Sequence, residues 1–179
     1  MLSQEFMAHY GVLIVFINVF GSSLGLPIPA TPTLVMAGAG IALAADGPSS
    51  TSAQFGIMIG SAVIGGALAD FVWFQGSKRL GERTLHGIGK LLVPQPSKIN
   101  SVERFPGSSA VRVLLIARFV PGLAFVSVLL CGTKAVRLRS FVLHDCVGIG
   151  LWAAAALTAG GLSAPQIEKT IATLWRFGW

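Results

Sequence analysis

The sequence predicts an all-α integral membrane protein in which two opposed re-entrant helical hairpins and two transmembrane helices form a weak inverted repeat. Three observations support this fold class. Hydrophobic residues make up 53% of the 179 residues and charged residues only 11%, whereas a soluble domain carries about 25% charged residues. The apolar residues lie in blocks long enough to approach the thickness of a bilayer. Two of these blocks are interrupted by prolines, which the interior of a continuous helix does not tolerate.

A single membrane domain, covering residues 1–179, is expected. Its predicted segments are a membrane-entering helix at 1–23, a first re-entrant hairpin at 24–45, a transmembrane helix at 54–77, a cytoplasmic basic amphipathic loop at 78–110, a second re-entrant hairpin at 111–133, a transmembrane helix at 140–162 and an interfacial C-terminal helix at 165–179. The break in the first hairpin is assigned to Pro27, Pro29 and Pro32, because closely spaced prolines remove amide donors and fix the backbone torsions.

The second hairpin is predicted from the placement of positive charge. Lys and Arg residues flank the apolar block at 111–130 on both sides, in the ranges 78–112 and 134–139. Because positively charged loops are retained on the cytoplasmic side, a block that crossed the membrane would leave one cluster outside. A chain that enters, turns at Pro121 and Gly122 and returns keeps both clusters cytoplasmic.

The two predicted hairpins resemble each other. Pro27 precedes Gly38 by 11 residues, and Pro121 precedes Gly132 by 11. The connection at 46–54 has no Lys or Arg, so the first hairpin is expected to enter from the outer face. Broken helices that enter from opposite faces occur in secondary transporters with inverted repeats. Chance resemblance between two proline-containing apolar stretches is the alternative.

Arg118 is the candidate binding residue, because it lies near the middle of an apolar block. An arginine at the centre of a membrane helix costs roughly 2.5–3.5 kcal/mol on insertion scales, so it needs a partner or a task. One interpretation is a structural ion pair with Asp70 or Asp145. The other is a bidentate site for a phosphate group. Both interpretations can hold at different stages of one cycle.

Three further residues are candidates for proton transfer or ion pairing. Asp70, in the third apolar block, either accepts a proton in an apolar setting or is solvated near the membrane interface. Asp145 and His144 open the last span, where an acid suits a helix N-terminal half and a histidine titrates near neutral pH. A solvated helix cap is the alternative for this pair.

Other functional classes are disfavoured by the sequence. It contains no phosphate-binding glycine loop, no pair of histidines at i and i+4 with an acid, and no nucleophile elbow, so we expect neither an enzyme nor a cofactor or metal site. The cations alternate with apolar blocks and form no basic and aromatic groove, which disfavours nucleic acid. The expected partners are membrane lipids with anionic headgroups. Gly56 and Gly60 would suit either a homo-oligomer interface or internal packing.

Three motifs carry a family resemblance that covers about residues 16–162. They are the run from Phe20 to Pro29, the run from Asp70 to Gly81, and Arg118-Phe119-Val120-Pro121-Gly122, which is the most specific. Together they resemble the DedA family, the bacterial relatives of the eukaryotic VTT-domain membrane proteins. The resemblance implies two opposed re-entrant hairpins in a multi-pass protein of the bacterial inner (plasma) membrane.

The resemblance also implies a function, namely moving phospholipid or polyprenyl-phosphate headgroups across the membrane as a flippase or scramblase. Arg118, Pro121 and Gly122 would then bind the lipid phosphate. Some family members couple transport to the proton gradient through membrane acids, but here two of those positions hold Ser22 and Thr31. The second arginine of the family pattern is absent as well, because its position is Ala124. The alternative function is a non-transporting membrane scaffold that buries a structural ion pair.

Overall fold

The computed structural model describes residues 2–44, 48–92, 114–116, 118–119, 123–133 and 136–176, with side chains from residue 10 to 79 and from 114 to 166 except in the gaps and at 48–49. This part of the chain is helical and contains no strand. The five helices are α1 (Leu2–Ser23), α2 (Ala30–Ala44), α3 (Pro48–Leu92), α4 (Leu123–Thr133) and α5 (Leu138–Arg176). Residues 114–116, which precede Arg118, are also helical.

Within the part of the chain that the structure describes, two helices are long and apolar enough to cross a membrane. These spans are Ser50–Arg79 within α3 and Leu138–Gln166 within α5. With a rise of about 1.5 Å per residue, each extends beyond the roughly 30 Å hydrocarbon core of a bilayer. The short helices α2 and α4, of 15 and 11 residues, cannot cross it alone. The architecture is therefore two long helices with shorter ones packed against them.

Helices α3 and α5 are antiparallel. Phe74 stacks on Phe141 with ring centroids 4.3 Å apart, and Gly66, eight residues earlier in α3, faces Ile149, eight residues later in α5. The absence of a Cβ at Gly66 lets the Ile149 side chain sit directly against the α3 backbone. Contacts in this order fix the register of the two spans.

This register places basic residues of both spans at one end of the helical bundle. Lys78 and Arg79 follow Phe74 in α3, and Arg137 and Arg139 precede Phe141. All four are exposed. We call this the basic end of the bundle.

Helix α1 packs along α3 and runs in the same direction. The Ser61 hydroxyl donates to the Val12 carbonyl oxygen at 2.8 Å, and one turn further on the Phe16 carbonyl lies against Gly65. Helix α1 therefore ends toward the basic end, at the level where α3 carries Asp70.

Helix α2 packs on α5 and runs in the same direction as α5, away from the basic end. Gly38 lies against the Leu157 carbonyl, and Ala42 lies against Gly161. A Cβ built on Gly38 would be 2.1 Å from the Leu157 oxygen, so only glycine permits this approach. Between lipid-exposed helices, close van der Waals packing of this kind replaces the hydrophobic effect as the stabilising force.

Helix α4 packs on α3 through a second glycine. A Cβ on Gly132 would be 2.7 Å from the Phe74 carbonyl oxygen and would overlap the Ser77 hydroxyl. Gly38 and Gly132 are the two glycines of the predicted repeat, and each seats a short helix on a long one. The contacts of both glycines are consistent with the repeat.

Helix boundaries differ from the predicted ones at several places. Helix α3 continues past residue 77 to Leu92, since no proline interrupts the sequence before Pro94, and half of the predicted loop at 78–110 is thus an extension of the span. Helix α5 continues through Pro165 to Arg176, where the proline removes only one amide donor, so the predicted C-terminal helix is not separate.

The first predicted hairpin also differs in detail. The break covers residues 24–29, where Gly25 adopts a positive φ of 97°, and includes Pro27 and Pro29. Pro32 does not break the chain. It lies in the first turn of α2, where a missing amide costs no helical hydrogen bond. The described residues 24–44 are therefore a turn followed by one helix, α2. The helix that leads into this turn is α1.

Candidate functional site

A buried cluster of charges joins three separate parts of the chain. The Arg118 guanidinium pairs through Nη2 with Asp70 Oδ2 on α3, and the same nitrogen lies 3.6 Å from Asp145 Oδ1 on α5. Its other terminal nitrogen, Nη1, donates to the Ser23 hydroxyl at 2.9 Å. We call Arg118, Asp70 and Asp145 the charged triad.

The triad is almost completely removed from solvent. Asp70 and Asp145 are 4% and 2% exposed, and the Arg118 side chain is 10% exposed. Charges buried to this degree persist only when they are paired and hydrogen-bonded. With both carboxyls ionised the triad has a formal charge of −1, so one carboxylate is in excess of the single guanidinium.

The structure brings together three of the residues selected from the sequence. Arg118 lies next to both acids that the sequence offers as partners, Asp70 and Asp145. The solvated-cap alternative for Asp145 is wrong, because the side chain lies inside the bundle. The interfacial alternative for Asp70 is wrong as well, because this side chain is also buried inside the bundle. In addition, about two helical turns, roughly 12 Å, separate Asp70 from Lys78.

Other selected residues lie elsewhere. The His144 ring donates from Nδ1 to the Ser140 carbonyl of its own helix at 2.8 Å, a local bond that does not involve the triad. Pro121 and Gly122 lie outside the described residues. Pro27 and Pro29 lie in the turn that precedes α2, beside the cavity described next.

A cavity of about 650 Å³ opens beside the triad. Its polar wall is formed by residues from the end of α1, the start of α2 and the triad, namely Ser22, Ser23, Thr31, Asp70 and Arg118. Its apolar wall includes Leu26, Ile28, Phe119, Phe125 and Trp152. A cavity with one charged wall and one aliphatic and aromatic wall suits an amphipathic ligand.

Two residues of the site were not selected from the sequence. Ser23 was seen only as part of a motif, and nothing in its local sequence indicates that it accepts a bond from a residue 95 positions away. Trp152 lies in the span of α5 and lines the cavity. A serine that ends an apolar helix just before a proline-rich turn is the signal that would have pointed to Ser23.

Two buried polar atoms beside the triad have no hydrogen-bond partner among the described residues. They are Asp145 Oδ2 and Trp73 Nε1. An unpaired buried polar group costs roughly 1–3 kcal/mol. The Trp73 ring is held edge-on to Phe125 of α4, with centroids 4.9 Å apart, so its position is fixed by packing. Only Asp145 Oδ2 belongs to the triad, and Trp73 is not among the residues that line the cavity, so the site itself offers one unused acceptor.

The fold and this site define a class of protein. A helical bundle with two spans of membrane length and a charge cluster buried between them is a helical membrane protein. Comparison with known sequences agrees, because the uncharacterized membrane protein YbfM of Bacillus subtilis (strain 168) is 23% identical to this chain over 159 residues, which cover 89% of the chain and 94% of YbfM. No protein-family model and no solved structure matches the chain.

Proposed function

We propose that the protein is a DedA-like membrane transporter, a flippase or scramblase, for lipids with a phosphate in the headgroup. The observation that carries this proposal is the position of Arg118, a guanidinium within the bundle that forms part of the wall of an amphipathic cavity. A planar guanidinium is well suited to bidentate phosphate binding, and the apolar wall would accept the first part of a lipid chain.

The path of the chain supports two opposed re-entrant elements at this site. Helix α1 runs toward the basic end, stops at Ser23, and α2 leads away again. Arg118 lies in the turn at 118–119, which is the second break. Helix α4, later in the sequence, runs toward the basic end, because its Phe125 contacts Trp73 and its Gly132 contacts Ser77. The two breaks meet at the hydrogen bond between Arg118 and Ser23. Irregular backbone at membrane depth is stable only inside protein or beside a wet cavity.

Sidedness follows from charge. The basic end carries Lys78, Arg79, Arg137 and Arg139, and positively charged flanks are retained in the cytoplasm. We therefore propose that the basic end faces the cytoplasm of a bacterial plasma membrane and that the turn between α1 and α2 is reached from the outer side.

Charge balance constrains the headgroup. A phosphate that binds Arg118 competes with Asp70 for the guanidinium, and it adds negative charge to a triad that already has one carboxylate in excess. Two ligands resolve this imbalance. A zwitterionic aminophospholipid brings its own ammonium group for the carboxylates, whereas a purely anionic lipid, such as a polyprenyl phosphate or phosphatidylglycerol, requires a proton on Asp70 or Asp145. The two cases differ in their dependence on pH.

The experiment that tests the proposal uses the full chain reconstituted in liposomes. Labelled phosphatidylethanolamine, phosphatidylglycerol and polyprenyl phosphate would be compared for movement between leaflets, each at several pH values. We expect translocation of at least one lipid, and its loss in Arg118→Ala. Arg139→Ala, which removes an exposed arginine at the basic end, is the matched control and should retain activity. Failure of the parent protein to move any of the three lipids would refute the proposal.

One observation favours the alternative of a non-transporting scaffold. Arg118 already has Asp70, Asp145 and Ser23 as neighbours, which is a complete set of partners for a purely structural residue. If the scaffold interpretation holds, replacing the triad by neutral residues, Arg118→Gln with Asp70→Asn and Asp145→Asn, should leave cellular function intact. A transporter should lose function in the same triple variant while it still inserts into the membrane.

A further inference from the structure

A packed aromatic layer separates the charged triad from the basic end. Phe74 and Phe141 stack with ring centroids 4.3 Å apart and planes 14° from parallel, and both side chains are at most 1% exposed. Phe74 lies four residues after Asp70, and Phe141 lies four residues before Asp145. At about 1.5 Å per residue, the layer lies one turn, roughly 6 Å, from the carboxyls on the side of the basic end.

Helix α4 completes this layer. Val128 and Cys131 are buried in the same cluster as the two rings, and Gly132 brings the α4 backbone against the Phe74 carbonyl. On the side of the layer that faces the basic end, the Lys78 ammonium lies over the Phe74 ring, 4.5 Å from its centroid. An apolar layer with a lysine on one side and two acids on the other is a barrier to ions and headgroups.

From the triad, the cavity extends away from this layer. Its walls on α5 are Trp152, Ala155 and Ala156, which are 7–11 residues beyond Asp145 and therefore roughly 10–16 Å further from the basic end. The cavity walls include neither Phe74 nor Phe141. In the part of the chain that the structure describes, this cavity thus reaches the triad without passing the two rings.

We infer that the Phe74–Phe141 layer is a closed gate, and that the structure represents a state in which the triad is accessible from the face opposite the basic end. This inference concerns the regulation of the proposed transport site, and the role of the gate in transport rests on the proposed function. Opening requires α4 to move relative to α3, so that the two rings part. Gly132 favours such a movement because it offers no side chain to interlock with α3.

The test measures accessibility rather than transport. In a background with Cys146→Ala, in which Cys131 of the layer is kept, Ser22→Cys reports on the cavity wall and Arg139→Cys, in a separate variant, marks the basic face, each compared with the background that lacks the added cysteine. A small, charged, membrane-impermeant methanethiosulfonate reagent would be applied to intact cells and to inverted vesicles. We expect Ser22→Cys to react from the face opposite the one at which Arg139→Cys reacts.

Removal of the gate should change this result. Adding Phe141→Ala to the Ser22→Cys variant should increase its reaction rate from the basic face by roughly tenfold or more, since loss of the stacked pair favours separation of the helices. Phe71→Ala is the matched control, because Phe71 lies one turn from Phe74 but is exposed, and it should leave the rate unchanged. Retained reactivity from the opposite face shows that each variant is folded.

Two results would overturn the inference. One is reaction of Ser22→Cys from the basic face in the parent background, and the other is an unchanged rate after removal of either Phe74 or Phe141. Both readouts are independent of lipid movement. Should accessibility behave as expected while no lipid is translocated, the gate stands and the proposed transport function fails.

Discussion

Arg118 and Asp70 form an ion pair across 48 residues of sequence, and this contact joins the end of a broken segment to the middle of the long span α3. The arginine also approaches Asp145 on α5, so one guanidinium links both spans. The interaction takes place where little water is available to screen it, which makes each charge of the triad dependent on the others. Substitution of single members should therefore have unequal effects.

The first prediction compares the two acids. Asp70→Asn removes the direct partner of Arg118 and should destabilise the protein, by less than the roughly 3–5 kcal/mol for breaking an isolated buried ion pair, because Asp145 remains 3.6 Å from the guanidinium. Asp145→Asn removes the carboxylate in excess, one oxygen of which has no partner among the described residues, and should be neutral or stabilising. Thermal unfolding of the two variants in detergent checks the order. Equal loss of stability in both would contradict the assigned geometry.

A second prediction concerns the bond between the two breaks. Ser23→Ala removes the hydroxyl that accepts from Arg118 Nη1, and a hydrogen bond to a charged group contributes roughly 1.5–3 kcal/mol. We expect a lower unfolding temperature, and a rate of lipid translocation that rises less steeply with lipid concentration. Ser22→Ala is the control, since Ser22 lines the same cavity and is the preceding residue. If both serine variants behave alike, the bond has no role in holding the site.

Glycine substitutions provide a third prediction. Gly38→Ala and Gly132→Ala place a Cβ in contact with backbone atoms of α5 and α3, so the helices must separate. The cost of overpacking is typically about 1–3 kcal/mol. Gly56→Ala should be neutral or slightly stabilising, because no described atom lies within 4 Å of its added Cβ and alanine has the higher helix propensity. Unfolding temperatures of the three variants measure the difference, and a Gly56→Ala loss as large as the others would point to an additional contact there.

Much of this organisation could be predicted from the sequence. The two spans follow from length and hydropathy, and the need of Arg118 for a partner follows from the cost of an unpaired charge in hydrocarbon. The choice of partner could not be predicted. Asp70 and Asp145 are both within reach only because the antiparallel register of α3 and α5 brings them to the same level, and that register is set by tertiary contacts such as Phe74 on Phe141.

Helix ends were predictable only where a strong breaker occurs. The break after Ser23 is marked by Gly25, Pro27 and Pro29, and it lies where these residues suggest. A charge such as Lys78 marks a membrane interface but does not end a helix, which is why α3 continues beyond the predicted span. A lone proline at residue 165 is tolerated at an exposed position of a long helix.

The last prediction tests the sidedness of the chain. Lys78→Cys and Arg139→Cys, each as a single cysteine, should react with an impermeant reagent from the same face, because the stacking of Phe74 on Phe141 holds these two positions at the same level of the bundle. Ala44→Cys should react from the opposite face, because α2 runs beside α5 away from the basic end, with Ala42 against Gly161. Labelling of intact cells and of inverted vesicles distinguishes the two faces. Should Ala44→Cys share the face of Lys78→Cys, α1 and α2 would not form a hairpin that returns to its own side, and the opposed arrangement proposed for the two breaks would have to be abandoned.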